Sequence, residues 1–509
     1  MRPVTSLLLI LLITSHVGAW FHQLEERRQL ALNELTKRSS IQAPDPSSPA
    51  TDLAPDGASS SLLQDTIEYL QTQLDLHRDE NASLLSQIRR LEQAAAGTNG
   101  EAESPTKFLE GRAEEIRQLD FASRPSYQPL RFLEFIQAIE QDLRSRYPED
   151  HFENKAYAYH ALGILLDPSD VDLAYGEAGT LATQVGGWPD PSSGALLVPE
   201  DIDLRSPSEA ARLLTDLNAL LVRDNLDADA LPIFDPDNED LAFAARALLI
   251  GDGSLTAFYH SVQNPLASPG AASFGDEGGT DEDGAGASRP NFYDATIATR
   301  EQMMFPFSVG FPFAQHLFDV GGRPGLNAAY ADPPRGTLDI LHPDLYLSPE
   351  RPEIVAIRLA RDPVLGQQPL FVNTAGEFNT ILILRSWTPD AMAMRAADGW
   401  RGDRYAIYQD PTVEAAHPFL GYQVAWLSAW ADEDEAQEFF TTLRKAVLSR
   451  HKVEFTPDLM AEGRFDLVTS SSPQRHLHIR RLPDARVAFF DTTSAEWQDA
   501  LATEHLAAP

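Results

Sequence analysis

The chain has 509 residues, 43% of them apolar, which is enough for two to four folded units with real cores. Its 76 acidic against 40 basic residues give a formal charge of −36, which argues against nucleic acid or an anionic membrane surface as partner. The absence of cysteine excludes disulfides, thiolate zinc sites, cysteine nucleophiles and lipidation at cysteine.

The first residues follow the plan of a secretory signal peptide: Arg2, the apolar run Leu7 to Ile13, then Gly18 and Ala19. Cleavage after Ala19 makes residues 1–19 the signal, whereas an uncleaved segment would anchor the chain in a membrane. Either outcome predicts a secreted, periplasmic or cell-envelope protein. No later stretch approaches the roughly 20 apolar residues of a spanning helix. Residues 20–60 read as a polar segment and a linker, rich in Pro, Ser, Ala and Asp from Ser39 onward.

A heptad follows over residues 61–94. Leu63, Ile67, Leu70, Leu74, His77, Asn81, Leu84, Ile88 and Leu91 alternate steps of four and three, the seam of a coiled coil. His77 and Asn81 sit at its centre, where buried polar residues fix register and oligomer number. A homo-oligomer through this stalk is expected, against the alternative of one amphipathic helix folded back on its own chain. The sequon at Asn81-Ala-Ser83 is too common by chance to carry weight.

Residues 95–125 read as a second linker, Gly/Ala/Glu-rich to Ser104, after which helical periodicity resumes. A helical domain is expected over residues 126–350. Its first stripe is Leu130, Leu133, Ile136, Ile139 and Leu143; helices at Tyr157–Leu165 and Asp170–Val185 follow, the latter closed by Gly186-Gly187. Trp188 to Val198 reads as a turn feeding a short strand. Ser206 then suits an N-cap, Pro207 the first helical position and Glu209 the capping-box acid of a helix that carries Arg212 to Asn225. Leu213, Leu214, Leu217, Leu220 and Leu221 form its apolar side. Asp237 suits the cap of the next helix, with Leu241, Ala244, Ala245, Leu248 and Leu249 on one face and Gly251 as its stop. The acidic, glycine-rich loop at 263–290 lacks the EF-hand spacing and reads as a solvated insertion rather than a calcium site. Tyr293–Asp319 is predicted helical with kinks at Pro306 and Pro312, and a short helix spans Leu326–Tyr330. Over residues 351–509, helices (Gly376–Ser386, Asp432–Leu448) alternate with strands (Arg404–Tyr408, Gln423–Ser428, Leu477–Arg481, Val487–Asp491), with a hairpin turn at Pro483-Asp484. This is an α+β region with a small antiparallel sheet.

Several of these segments, in this order, resemble secreted bacterial zinc metallopeptidases of the gluzincin type. They are Tyr159 to Leu165, Gly186 to Pro191, Phe305 to Phe311, Gly321-Gly322, Asp332 to Pro334, Ile340 to Pro343 with Tyr346, Gly376-Glu377, Ala396 to Tyr405, Trp426 to Trp430 and Asp434 to Phe439. The resemblance implies a mainly helical, α+β zincin-like architecture. It places that family's His-Glu-x-x-His zinc helix at Arg212–Asn225 and the third ligand, a glutamate, at Asp240–Gly253.

The ligands themselves are missing. The motif falls on Leu214, Thr215, Asp216, Leu217 and Asn218, or one residue later on Thr215 through Ala219, and neither register contains histidine. Ile250 occupies the glutamate position, leaving Asp252 as the carboxylate nearby. Zinc, expected for the family, is therefore not expected here. Other polar groups have plainer readings. His476 and His478 share a strand face with Arg475, Arg480 and Arg481, too cationic for a metal and read as a surface strand. His316 reads as a packed histidine, and His342 as structural beside a proline that ends its helix. Trp400, Asp403, Arg404 and Tyr405 read as a turn into a strand whose Asp and Arg pair together or with neighbours. There is no nucleophile elbow, phosphate loop or dinucleotide fingerprint. The expectation is a catalytically inactive metallopeptidase-like protein with a binding or assembly role and an unknown protein or peptide partner. Alternatives are a hydrolase using Asp216, Asp252 and a relocated histidine, or a structural envelope protein organised by its coiled coil.

Overall fold

In the computed structural model, the described residues are 104–165, 171–263, 297–359, 362–413, 418–454, 463–470 and 474–506. The segments read above as signal peptide, as the 61–94 heptad with His77 and Asn81, and as an acidic loop after Gln263 lie outside them. Everything described belongs to one unit, Gly100–Pro509.

Helix α1 (Pro105–Arg117) lies inside the expected second linker, and it buries Leu109, Ala113 and Ile116. Strand β1 (Tyr127–Leu130) leads into α2 (Phe132–Arg146), α3 (His151–Leu162) and α4 (Leu173–Gln184). The buried face of α2 is Phe135, Ile136, Ile139 and Leu143, while Leu133 is 55% exposed, so the stripe is rotated from the one expected. Strands β2 (Trp188–Pro189) and β3 (Leu196–Pro199) close a three-stranded sheet ordered β1-β3-β2, with β1 parallel and β2 antiparallel to β3.

Helix α5 (Pro207–Leu226) starts at Pro207 as predicted, but Glu209 accepts from the Asp203 N–H rather than reaching back to Ser206. It buries Leu213, Leu214, Leu217 and Leu221 against α1. Helix α6 (Glu239–Gln263) departs more from expectation. Its cap is Asn238, whose side chain accepts from the Leu241 N–H. Gly251 does not stop it: the helix runs on through Gly251-Asp252-Gly253 to Gln263. The reason is tertiary. A Cβ on Gly251 would lie 2.1 Å from the Gly310 carbonyl oxygen, and one on Gly253 would lie 2.6 Å from that of Thr215. Each glycine costs the helix roughly 1 kcal/mol against alanine and lets two backbones touch. At 25 residues α6 also has the length and hydropathy of a membrane span, but 72% of its most apolar window is buried inside the fold.

Helix α7 (Ile297–Ala331) carries Pro306, Pro312 and Pro324, yet its non-helical backbone is at Gly322 rather than at Pro306 or Pro312. Two short helices, α8 (Thr337–Leu341) and α9 (Pro343–Tyr346), meet at His342. The rest is β4 (Phe371–Asn373), α10 (Gly376–Arg385), α11 (Asp390–Ala397), β5 (Trp400–Gln409), β6 (Tyr422–Trp430), α12 (Glu433–Arg450), β7 (Arg464–Val468), β8 (His476–Leu482), β9 (Arg486–Thr492) and α13 (Ala495–Leu506). The strands form one antiparallel sheet ordered β4-β5-β6-β9-β8-β7. Left-handed backbone at Asp484 and Ala485 closes the β8–β9 hairpin where a turn was expected. In this region sequence reasoning missed β4, α11, β7 and α13.

Strand β6 is buried along its whole length because both sheet faces are covered. One face packs Trp426 and Trp430 with Phe439 of α12 and the core of α2 and α3. The other packs Tyr408, Ala425 and Phe490 against Trp497 and Leu501 of α13. The fold is thus α+β, and no gap in the core falls at residue 350, because one cluster joins Phe135 and Tyr159 to Trp400 and Phe440.

Candidate functional site

The structure does not gather the positions that the resemblance singles out into one site. Asp216 turns to the start of β2, where one carboxylate oxygen accepts the N–H groups of Gly186 (2.7 Å) and Gly187 (2.8 Å). Burial pushes this carboxyl up to about 8, against the pull of the two donors. Leu214 is buried in the α1–α5 core, and Thr215 donates to the Ala211 carbonyl. Ala219 and Ile250 are half-buried.

Asn218 and Asp252 do meet, at the α5–α6 crossing, and both are fully buried. Asp252 accepts from Arg117 Nη2 (3.0 Å) and from the Tyr330 hydroxyl (2.8 Å), and Arg117 Nη2 also donates to Asn327 (2.8 Å). Asn218 accepts from the Thr256 hydroxyl at 3.0 Å. Burial raises the Asp252 carboxyl above its ordinary range, while Arg117, Tyr330 and Asn218 pull it back. Two signals misled the sequence reading here: Ile250-Gly-Asp-Gly253 is helix interior rather than a ligand-bearing turn, and the cation at Asp252 is a guanidinium supplied by α1.

Several of the other singled-out residues also lie beside partners. His316 lies 3.1 Å from Asp344. Strand β8 is interior to the sheet rather than a surface strand. Arg475 pairs with buried Asp491, Arg481 with Glu433, and His478 with Asp466. Arg404 does not pair with Asp403; it donates to the Asp237 carbonyl and to Thr374.

A second concentration of buried acids lies where α6, α8, α10 and β5 converge. Asp403 accepts four N–H groups at 2.9–3.0 Å: Ala375 and Gly376 from the backbone, and the Trp400 and Trp426 indoles. Burial pushes it up to about 6, against the pull of these four donors. Asp240, in the first turn of α6, accepts the Thr337 N–H at 2.9 Å and its hydroxyl, and burial pushes it up to about 7. Gly376, at φ 71°, fits between these acids; a Cβ there would collide with the Asp240 carboxylate. Next to it Glu377, 3% exposed, accepts from or shares a proton with His342 Nε2 at 2.8 Å. Burial raises the Glu377 carboxyl, and the hydrogen bond that the imidazole donates to Glu377 raises His342. Among the described residues, His342, Glu377 and Asp398 place one ligand atom each within 4.8 Å of one another, a set able to hold a metal ion. Sequence reasoning took His342 as structural, since nothing local links it to a glutamate 35 residues away.

Two clefts are small. One of about 50 Å³ is lined by Phe132, Val185, Ile202, Glu209 and Arg212, and one of about 20 Å³ by Lys155, Tyr159, Glu177 and Gln302. Pockets for organic ligands run to roughly 300 Å³ or more. The charges in the second are already paired, Lys155 with Glu239 and Glu177 with Arg246.

The raised carboxyls set a pH dependence. A carboxyl that is higher in the folded than in the unfolded state stabilises fully below its unfolded value near 4, and that contribution is lost as pH rises through the folded value. Asp403, Asp240 and Asp216, at about 6, 7 and 8, should therefore make urea midpoints fall between pH 5 and pH 8.5. Asp216→Asn keeps an oxygen for both glycine N–H groups and should flatten the upper part of that profile. An unchanged slope would remove Asp216 from the explanation.

A family described as a domain of unknown function (DUF8575) matches residues 368–482. That span runs from just before β4 to the end of β8 and includes Glu377, Asp398 and Asp403. No curated protein and no solved structure matches the chain.

Proposed function

We propose that this is a secreted or envelope-associated, catalytically inactive relative of gluzincin metallopeptidases whose folded unit serves binding or assembly. The supporting observation is the α5–α6 crossing. The two helices to which the resemblance assigns zinc ligands touch backbone to backbone at Gly253, and the one carboxylate between them is committed to Arg117 and Tyr330. A catalytic zinc needs three protein ligands and an open position for water or substrate. A leucine, a threonine, an asparagine and an already paired aspartate offer neither. The rival hydrolase reading loses ground because Asp216 and Asp252 bond to different partners. Assembly would run through the 61–94 heptad, with a protein or peptide as the further partner.

Incubation of the purified full chain with unfolded protein substrates, with and without added zinc, should give no cleavage. Zinc-dependent hydrolysis abolished by Asp252→Asn would overturn the proposal. Sedimentation equilibrium separates off the assembly part: deleting residues 61–94 should reduce the mass to that of a monomer, and an unchanged oligomer would retire the stalk as organiser.

A further inference from the structure

We propose that His342, Glu377 and Asp398 form a binding site for a divalent transition-metal cation of the zinc class, apart from the α5–α6 crossing and independent of the reading above. Three elements supply the ligands: the α8–α9 corner, the first turn of α10 and the residue after α11. One atom from each already lies within 4.8 Å of the others, and the His342–Glu377 pair is at 2.8 Å. Ligands around a tetrahedral zinc are about 3.3 Å apart, given metal–ligand distances near 2 Å, so modest adjustments complete the set.

Glu377 provides the independent indication. It is 3% exposed, and its Oε2 is fully buried and makes no hydrogen bond. A buried carboxylate oxygen ordinarily has a donor or a metal, because leaving it unpaired costs its full desolvation. Its nearest partner is an imidazole, and the surroundings add negative charge. Asp398 is a like charge beside both Glu377 and Glu435, and Glu377 is a like charge beside Asp240. Arg401 is the opposing charge, and its Nη1 is engaged on the Trp400 carbonyl at 2.7 Å. A dication would answer this excess where one guanidinium does not. An imidazole nitrogen with two carboxylate oxygens suits zinc better than magnesium or calcium, which favour all-oxygen sets. Asp398 is exposed, which leaves a route for entry and a face for water or a partner's ligand.

Titration of chelator-treated full chain with zinc chloride, followed by calorimetry, should give one equivalent bound at this site, unaffected by excess magnesium. His342→Gln, Glu377→Gln and Asp398→Asn should each weaken it by more than about tenfold, since even outer partners of metal ligands are worth that much. Glu377→Gln keeps the contact to His342 and Asp398→Asn is on the surface, so both should fold. Zinc should raise the melting temperature of the wild type and not of these variants. No binding by the wild type, or wild-type affinity in any of the three variants, overturns the proposal. Zinc-dependent peptide cleavage lost in the same variants would instead overturn the non-catalytic reading and leave this site standing.

Discussion

Arg117→Met is expected to lower the unfolding free energy by about 3–5 kcal/mol, the usual cost of leaving one member of a buried ion pair alone. Asp252 is fully buried, and its Oδ1 has no donor even now, so the lost guanidinium leaves only the Tyr330 hydroxyl as a firm donor. Asp252→Leu should cost about as much, because it strands a 3%-exposed guanidinium against Asn327. The double variant should recover most of the loss, since both charges leave together and the crossing becomes apolar. Urea unfolding of all four proteins, followed by tryptophan fluorescence, measures the coupling. A second sign is available: in Arg117→Met the isolated Asp252 should take up a proton, so that variant should gain stability as pH is lowered more steeply than the wild type does. Additive single losses would mean that the two side chains stabilise the crossing separately and that no ion pair joins α1 to α6.

The same crossing marks where sequence reasoning holds and where it stops. The leucines of α5 are legible because an amphipathic helix repeats its apolar positions locally, and Leu213, Leu214, Leu217 and Leu221 are buried as expected. Gly251 was not legible. A glycine after an apolar run is a helix stop by local rules, and only its contact with Gly310, 59 residues away, makes it a packing residue inside α6. Strand β7 was missed because its burial is patchy, and α13 because its polar face outnumbers the three residues it buries. The His342–Glu377 pair fails for a related reason: it joins two elements whose individual sequences look structural.

The junction of helices and sheet should be most sensitive at Asp403. Its two oxygens each accept one backbone and one indole N–H, so every acceptor direction has a donor. Asparagine has nearly the same shape but only one acceptor atom. In one orientation its amide faces the Gly376 and Trp400 donors, in the other those of Ala375 and Trp426. Two hydrogen bonds to a charge are lost either way, at about 1.5–3 kcal/mol each, which predicts a loss of about 3–6 kcal/mol for Asp403→Asn. The Trp400 and Trp426 indoles report the change directly, so the native fluorescence spectrum should shift along with the urea midpoint. The loss should also reach the cation site. Asp403 holds the backbone of Ala375 and Gly376, and Glu377 is the next residue, so loosening that turn should weaken zinc binding in a protein that still has all three ligands. A variant with the wild-type midpoint would mean that the four donors have other acceptors and that Asp403 does not tie α10 to the sheet.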